Sequence, residues 1–488
     1  MHERGSGIRE QTTDHLRHHA PMTDAVASPP LTRATIAHRA WPIILANASV
    51  PLLGLVDTAV IGHFGSTADL GALALGALLF NFVYWSFGFL RMATTGFVAQ
   101  AAGAGDEAEV RAALLRPLLM GVALGVAVWL LQWPLAAGYF TLMDAGDAVA
   151  ATGSDYFRAR VWGAPAALAL YALCGMLIGL GRSRTLLAVQ LLLNGLNAGL
   201  DVYFAGVLGQ GAHGIGLGTA IAEWSTCVVA AVAVWRVLRG RHRDAEPFLP
   251  WARIGNRVRL RRTLAANGDI MLRTLCLLAG FGLFARQGTA LGDATLAANH
   301  LLLQLVSFSA FFLDGFAFVA EALVGAAVGA CDRARFRRAV RLSSELALAT
   351  AMLLAAGLWL GGGVLLGLLT SLQEVVALAR AHLPWVALYV LLSVAAFQLD
   401  GVFIGATRTR EMRNAGVASL AVFALCAWPA TAAWGNHGLW AAFVLFVVAR
   451  ALALLPYYRV LERALGTTTP CSGDGGEDAG ASAQPPPS

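Results

Sequence analysis

CGMLIGLGRSR at residues 174–184 and DGVFIGATRTR at residues 400–410 carry glycines, an isoleucine and two arginines at equivalent positions, displaced by 226 residues. Two further pairs recur in the same order: FVAQ at 97–100 with FVAE at 318–321, and GAHG at 211–214 with GNHG at 435–438. Any one such match between apolar segments arises easily by chance. Three matches in order, at displacements of 221 to 226, predict a chain built from two related halves.

The composition places both halves in a membrane. Of the 488 residues, 57% are hydrophobic and 13% are charged, and the mean hydropathy is +0.64, which no soluble domain of this length carries. Because a spanning helix needs ~20 mostly apolar residues, the chain has room for about a dozen spans. The apolar stretches predict twelve, near 35–61, 72–100, 113–134, 156–178, 186–207, 214–236, 264–285, 295–325, 340–360, 381–404, 412–433 and 438–458.

The loops between these spans alternate in arginine content. One set is rich in arginine and includes Arg111, Arg333, Arg408 and the run from 236 to 262, whereas the other set carries acids such as Asp293. Arginine-rich loops face the cytoplasm, and an even number of spans then places both termini on that side. With an even number of spans in each half, the halves have the same orientation, so the repeat axis lies along the membrane normal.

We therefore predict an all-α polytopic membrane protein of twelve transmembrane helices in two pseudo-symmetric six-helix bundles. Both ends of the chain are polar and are predicted to be disordered, and the C-terminal end is rich in Gly, Ser and Pro. The predicted organisation is a cytoplasmic N-terminus at 1–32, a bundle at 33–236, a cytoplasmic connector at 237–263, a second bundle at 264–460 and a cytoplasmic tail at 461–488.

Polar residues in the first half predict a site in its outer part. A charge at the bilayer centre costs ~2.5 to 3.5 kcal/mol, so an ionisable residue inside a span needs a reason. Asp57 lies near the outer end of the first span, and Asn194, Asn197 and Asp201 lie on one face of the fifth because of their spacing. The alternative is that these groups only join helices by hydrogen bonds.

Depth in the membrane adds two side chains to this set. Spans one and five run outward while spans four and six run inward, so Tyr156 and Thr219 lie at the outer level of Asp57 and Asp201. Two carboxylates in apolar surroundings disfavour double ionisation, as a proton-coupled site requires. Sodium is the alternative coupling ion, because Asp57, Asn197, Asp201 and Thr219 also supply hard oxygen ligands.

The second half contains its own polar set. Asp269, Arg273, Glu321 and Asp400 lie toward the cytoplasmic side, and the arginine among them makes a structural or gating ion-pair network as well supported as a coupling site. Arg91 in the first half has no evident partner in the sequence.

Two further predictions concern the lining of a cavity and the shape of span one. His300 and Gln304, four residues apart in span eight, and Asn194 are candidates to line a cavity, and the alternative for the first two is a satisfied core pair. Pro42 and Pro51 lie in the span that carries Asp57, so a bend there would connect protonation to shape.

Five stretches carry a family resemblance: VPLLGLVDTAVIGH (50–63), NGDIMLRTLCL (267–277), LAANHLL (296–302), DGFAFVAEALVG (314–325) and QLDGVFIGATRTREMRNA (398–415). Through them, and across roughly residues 33–460, the chain resembles the multidrug and toxic compound extrusion (MATE) antiporters, most closely their DNA-damage-inducible protein F (DinF) branch. The resemblance implies a V-shaped pair of bundles in a bacterial inner membrane.

The resemblance also implies roles. It implies export of amphipathic, often cationic, compounds in exchange for protons or sodium ions. Asp57, Asn197 and Asp201 would form the cation-coupling site, with Tyr156 and Thr219 beside it. Pro42 matches the proline at which span one bends.

The functional hypothesis is a secondary active multidrug antiporter that works by alternating access. A lipid-linked precursor flippase of related architecture is the alternative, although its pyrophosphate cargo needs a strongly cationic cavity and only Arg91 and Arg273 suggest one. The sequence has no catalytic loop motif or metal-ligand cluster, so we expect neither an enzyme nor a cofactor beyond H⁺ or Na⁺. The expected partners are amphipathic small molecules, the coupling cation and the lipid bilayer, without nucleic acid, and the expected state is a monomer.

Overall fold

The computed structural model describes residues 31–143 and 146–465, and within these ranges it is almost entirely helical and contains no strand. The helices are α1 (Arg33–Phe64), α2 (Thr67–Ser86), α3 (Phe89–Gly103), α4 (Glu107–Leu130), α5 (Gln132–Leu142), α6 (Asp147–Val161), α7 (Ala164–Gly179), α8 (Ser183–Asp201), α9 (Gly211–Arg241), α10 (Trp251–Ile254), α11 (Arg257–Thr289), α12 (Asp293–Gly329), α13 (Arg333–Leu369), α14 (Gln373–Gly405) and α15 (Thr409–Ala464). A π-helical segment, Val202–Val207, directly follows α8.

Each predicted span lies in a helix or in a broken pair of helices. The second, third and fourth spans are the pairs α2–α3, α4–α5 and α6–α7, and the last pair bends by 50°. The last two spans share α15, where non-helical backbone at Trp434 and Gly435 separates them. By length and composition, nine described helices can cross a membrane, or ten with the bent pair. That count omits α1 and takes α15 once, so twelve spans stay a prediction.

The boundaries of the predicted terminal segments need one adjustment. Most of both segments lies outside the described residues, but α15 continues to Ala464, beyond the predicted start of the tail at 461. Its last turns stay helical because Leu461 is buried against the rest of the bundle. At the other end, the Thr32 hydroxyl accepts a hydrogen bond from the Thr35 amide and begins α1 where the sequence predicts the first bundle.

The internal repeat is visible in the turns of the backbone. Asp106 and Asp332 each cap the helix that follows, through hydrogen bonds of 3.0 and 2.8 Å from the backbone amide three residues later. The turn before the fifth predicted span contains Gly181 at φ 66°, and its equivalent in the second half is Thr407 at φ 53°. Thr407 therefore adopts the left-handed conformation that glycine adopts freely, and this strains its backbone.

The two halves meet along closely packed small residues, which we call the inter-half seam: Gly96, Ala99, Gln100 and Gly103 of α3 against Gly325, Ala326 and Gly329 of α12 and Gly405 of α14. A Cβ added to Gly329 or Gly103 would overlap backbone atoms of the facing helix. The Gln100 amide also donates to the Gly405 carbonyl at 2.9 Å and to the Thr407 hydroxyl at 3.1 Å. The seam lies on the side that the arginine pattern predicts to be cytoplasmic.

The connector is shorter than predicted, and ion pairs hold it against the first bundle. Helices α9 and α11 extend into the predicted range 237–263, which leaves 242–256 between them. Arg111 at the start of α4 donates to Asp244 at 3.0 Å, and Arg253 donates to Asp106 at 2.6 Å. Burial raises the pKa of Asp244, but the hydrogen bonds and charges of Arg111 and His242 outweigh it and hold that pKa below its usual range.

Candidate cation-coupling site

The two acids of the first half meet between α1 and α8. The carboxyl groups of Asp57 and Asp201 lie close enough together to interact electrostatically. Asp201 is the last residue of α8 and is fully buried, and the π-helical segment begins at the next residue. Such π segments often occur at functional sites, since the extra residue per turn re-aims the side chains around it.

As carboxylates, these two acids are short of hydrogen-bond donors. Within the described ranges, neither Asp201 oxygen has a partner, and the same holds for Oδ1 of Asp57. A buried carboxylate without a donor is costly, and a proton held between the two groups would give one of them an O–H to donate. An added proton would therefore satisfy two of these oxygens at once.

The two asparagines of the fifth span have different partners. The Asn197 amide donates to the Thr219 hydroxyl on α9 at 2.9 Å, and that hydroxyl donates to the Ile215 carbonyl at 2.9 Å. Both side chains are buried, and the Asn197 carbonyl oxygen has no partner among the described residues. Asn194, one turn earlier, is half-buried and donates instead to Ser49 on α1 at 2.6 Å. Asn194 thus joins α1 to α8 below the acids.

Tyr156 brings a cation that sequence reasoning missed. Its buried ring packs edge-on against Phe80, and its hydroxyl accepts a hydrogen bond of 2.5 Å from Arg160, one turn further along α6. The Arg160 guanidinium lies 4.5 Å from the centroid of the Phe80 ring. It interacts electrostatically with both Asp57 and Asp201. Its position four residues after Tyr156 in an inward-running span was a signal that could have identified it.

Two glycines make room for these side chains. A Cβ at Gly218 of α9 would lie 2.6 Å from Oδ1 of Asp201, and a Cβ at Gly76 of α2 would overlap the Tyr156 ring. Glycine at both positions lets the backbones of α2 and α9 approach the polar groups directly. Pro42 lies inside α1, which continues as one helix from Arg33 to Phe64, so the bend of span one at this residue stays a prediction.

The predicted polar network of the second half contains three ion-paired contacts. Arg273 forms a buried ion pair with Asp400, which also lies 3.6 Å from Arg450 of α15. Asp269 is held by Arg413 at 2.7 Å and accepts a hydrogen bond from the Thr409 hydroxyl at 3.0 Å.

The third contact joins the two halves. Arg91 of α3 pairs with Glu321 of α12 at 3.3 Å and lies over the Phe318 ring at 3.8 Å. This supplies the partner of Arg91 that the sequence did not reveal. Both charged side chains are largely buried, so the pair stabilises the closed seam only while both members are present.

His300 and Gln304 do not form a core pair. Both side chains are exposed, and their facing nitrogens are 3.5 Å apart. Within the described ranges, no group of three or more His, Cys, Asp or Glu side chains could hold a metal ion.

Comparison with known proteins identifies the family. The sequence model of the MatE family matches residues 42–203 and 279–434, which together make up more than half of the chain. The chain belongs to the MatE family. DNA damage-inducible protein F of Escherichia coli (strain K12) is 38% identical over 423 residues, which cover 86% of this chain and 91% of that protein. The predicted MATE resemblance and its DinF branch are thus confirmed.

Other MatE relatives and solved structures agree. A probable multidrug resistance protein NorM of Xanthomonas axonopodis pv. citri (strain 306) is 28% identical, over 88% of this chain and 95% of that protein. A structure of an outward-facing multidrug resistance MATE family transporter of the MOP superfamily has a TM-score of 0.80 at 18% identity and covers 89% of this chain and 97% of that one. The Vibrio cholerae MATE transporter VcmN in the bent form has a TM-score of 0.79 at 21% identity, with 89% and 98% coverage.

These structures show that the chain has the MATE fold. Membership in the MatE family makes it a multi-pass membrane transporter of the multidrug efflux family, and the family and fold are those of transporters rather than of enzymes.

Proposed function

We propose that this transporter is a secondary active antiporter that exports amphipathic, often cationic, small molecules in exchange for protons, by alternating access. The observation that supports it is the Asp57–Asp201 pair, in which both Asp201 oxygens and Oδ1 of Asp57 are buried without a hydrogen-bond partner among the described residues. A group that needs a cation to satisfy it can link the binding of that cation to a change of conformation.

The conformational part of the proposal uses α1 and the inter-half seam. Asp57 and Pro42 lie on the same helix, and that helix also packs on α12, where a Cβ at Gly315 would overlap Ile44. Neutralisation of the acid pair releases α1 from α8, and a bend at Pro42 then changes the wall of the first half. Opening of the seam on the cytoplasmic side completes the cycle, and substrate leaves outward when the proton enters.

Protons are the favoured coupling ion for a geometric reason. Sodium would need Asn197 and Thr219 as oxygen ligands beside the two carboxylates. The Thr219 hydroxyl, however, already accepts from Asn197 and donates to Ile215, which leaves it one lone pair, and of these two side chains only the Asn197 carbonyl oxygen has no partner among the described residues. A proton needs no further ligand.

The flippase alternative loses support because the arginines that it would need are already paired. The two arginines that the sequence suggested for a pyrophosphate are paired with acids, Arg91 with Glu321 and Arg273 with Asp400. We further propose that the protein works as a monomer in a bacterial inner membrane with both termini cytoplasmic. No nucleic acid or cofactor takes part.

The test is dye transport in proteoliposomes under an imposed pH or sodium gradient. Wild type should export a fluorescent organic cation when a pH gradient is imposed, and Asp57→Asn and Asp201→Asn should abolish the response. Asp293→Asn, at the exposed start of α12, is the matched control and should behave as wild type. Wild-type transport by both acid variants would refute the coupling site, and a response to sodium alone would refute proton coupling.

A further inference from the structure

Glu223 is a buried acid that the proposed coupling cycle does not use. It lies in the middle of α9, its side chain is 5% exposed, and its Oε2 atom has no hydrogen-bond partner among the described residues. An ionised carboxylate in this position is costly unless charge or dipole stabilises it. The stabilising groups therefore indicate what this acid does.

The Glu223 carboxyl lies at the break between α6 and α7. A Cβ added to Gly163, the residue that precedes α7, would overlap Oε2 of Glu223 and lie 3.0 Å from Ala220. Helix α7 has no side-chain cap hydrogen bond, and Oε2 of Glu223 lies beside its N-cap residue, Gly163, without forming one. The positive end of the α7 dipole favours a negative charge here, at the point where the two helices bend by 50°.

Arg160 links this acid to the coupling site. Its guanidinium interacts electrostatically with Glu223 as well as with Asp57 and Asp201, and it is the single cation of the described chain acting on all three carboxyls. The remaining titratable groups that face Glu223 are the phenols of Tyr84 on α2 and Tyr171 on α7. Three acids on three helices thus share one positive charge.

We propose that Glu223 is a further proton-binding carboxyl of this transporter and that Arg160 couples it to the Asp57–Asp201 pair. A proton from water adds to the Glu223 carboxylate and leaves by the same route when the group ionises. When Glu223 is neutral, Arg160 balances the acid pair alone and the attraction of the carboxylate to the start of α7 is lost. The break between α6 and α7 then relaxes, and because α6 carries Tyr156 and Arg160, the wall of the coupling site moves.

The direct test is infrared difference spectroscopy of the purified full-length protein in lipid nanodiscs during a pH titration. Wild type should show a protonated-carboxyl band that appears on acidification and is missing in Glu223→Gln. Glu223→Asp keeps a carboxyl and should retain a band, which excludes loss through misfolding. Glu374→Gln, an exposed acid at the start of α14, is the control and should leave the band unchanged. Identical spectra for wild type and Glu223→Gln would overturn the proposal.

The coupling through Arg160 is tested by transport and rests on the proposed function. In Glu223→Gln, Arg160 serves the acid pair alone, which favours its ionised form, so the pH midpoint of dye export should move about one unit to lower pH. A slower rate with an unchanged midpoint would show that Glu223 is only structural. If Asp57→Asn also left the pH profile unaltered, proton antiport itself would be wrong, whereas the infrared result needs neither substrate nor gradient and stands separately.

Discussion

Gly325→Ala should open the inter-half seam. Gly325 lies on α12, and a Cβ built there is 2.5 Å from the Cβ of Ala99 on α3 and 3.1 Å from the Gly405 carbonyl oxygen. Carbon atoms in favourable contact are about 3.5 to 4.0 Å apart, so the two helices must separate locally by about 1 Å. Neither Ala99 nor the Gly405 backbone can rotate away, because neither has a flexible side chain.

The cost follows from this geometry. Overpacking a close helix contact typically costs about 1 to 3 kcal/mol, and only the closed-seam state bears that cost. The equilibrium between closed and open seam should therefore shift about 5- to 150-fold toward the open state. The variant should still fold, because a seam that opens in the transport cycle has an alternative arrangement.

The assay is a distance measurement between spin labels in nanodiscs. After replacement of the native cysteines, labels at Arg239→Cys on α9 and Arg338→Cys on α13 report the separation of the halves on the arginine-rich side. Gly325→Ala should add a longer component to the distance distribution. Gly268→Ala, where the new Cβ meets nothing within 4 Å, is the matched control. An unchanged distribution in Gly325→Ala, or the same change in Gly268→Ala, would refute the reasoning.

Four further predictions concern other contacts. Gly218→Ala should displace the Asp201 carboxyl, which lies 2.6 Å from the new Cβ, and reduce the initial rate of pH-driven dye export about 10- to 100-fold at unchanged expression. Arg91→Met leaves the buried Glu321 carboxylate unpaired and should destabilise the closed seam by about 3 to 5 kcal/mol, whereas Arg91→Met combined with Glu321→Gln should recover most of that loss in the spin-label equilibrium. Arg111→Gln removes the hydrogen bond to Asp244 and should speed hydrogen exchange in 242–256 at neutral pH. Because the pKa of Asp244 is lowered, docking of the connector is complete above the usual aspartate range and is lost as pH falls through the lowered value, which a fluorophore on the connector would report.

The outer acid cluster was predictable because its signals are local. Asn197 and Asp201 share a face through helix periodicity, and Asp57 and Thr219 reach the same depth because the bilayer fixes the length of every span. The same reasoning passed over Arg160, although it lies one turn after Tyr156, and over Glu223, because a lone charge in an apolar span does not reveal which helix it faces. The roles of these two residues depend on the packing between α6, α7 and α9, which no sequence pattern encodes.

The ion pairs of the second half could not be assigned from the sequence. The sequence identified Asp269, Arg273 and Asp400 as a polar set, but it could not divide them into pairs. The structure separates Asp269, held by Arg413, from the Arg273–Asp400 pair. Ion pairing requires side chains to meet within about 4 Å, and that distance depends on helix rotation and crossing, which depth and spacing leave open.

The amino-acid sequence is enough to establish that this protein lies in a membrane, that it consists of two related halves, and that its loops alternate in charge. These properties follow from composition, residue identity and order along the chain. Only the tertiary structure decided that Arg91 pairs with Glu321, 230 residues away, and that the halves close on glycines in α3 and α12. The physical reason is that lipid makes almost any apolar segment helical, whereas the choice of neighbour depends on the fit of small residues and on buried charges that must find a partner.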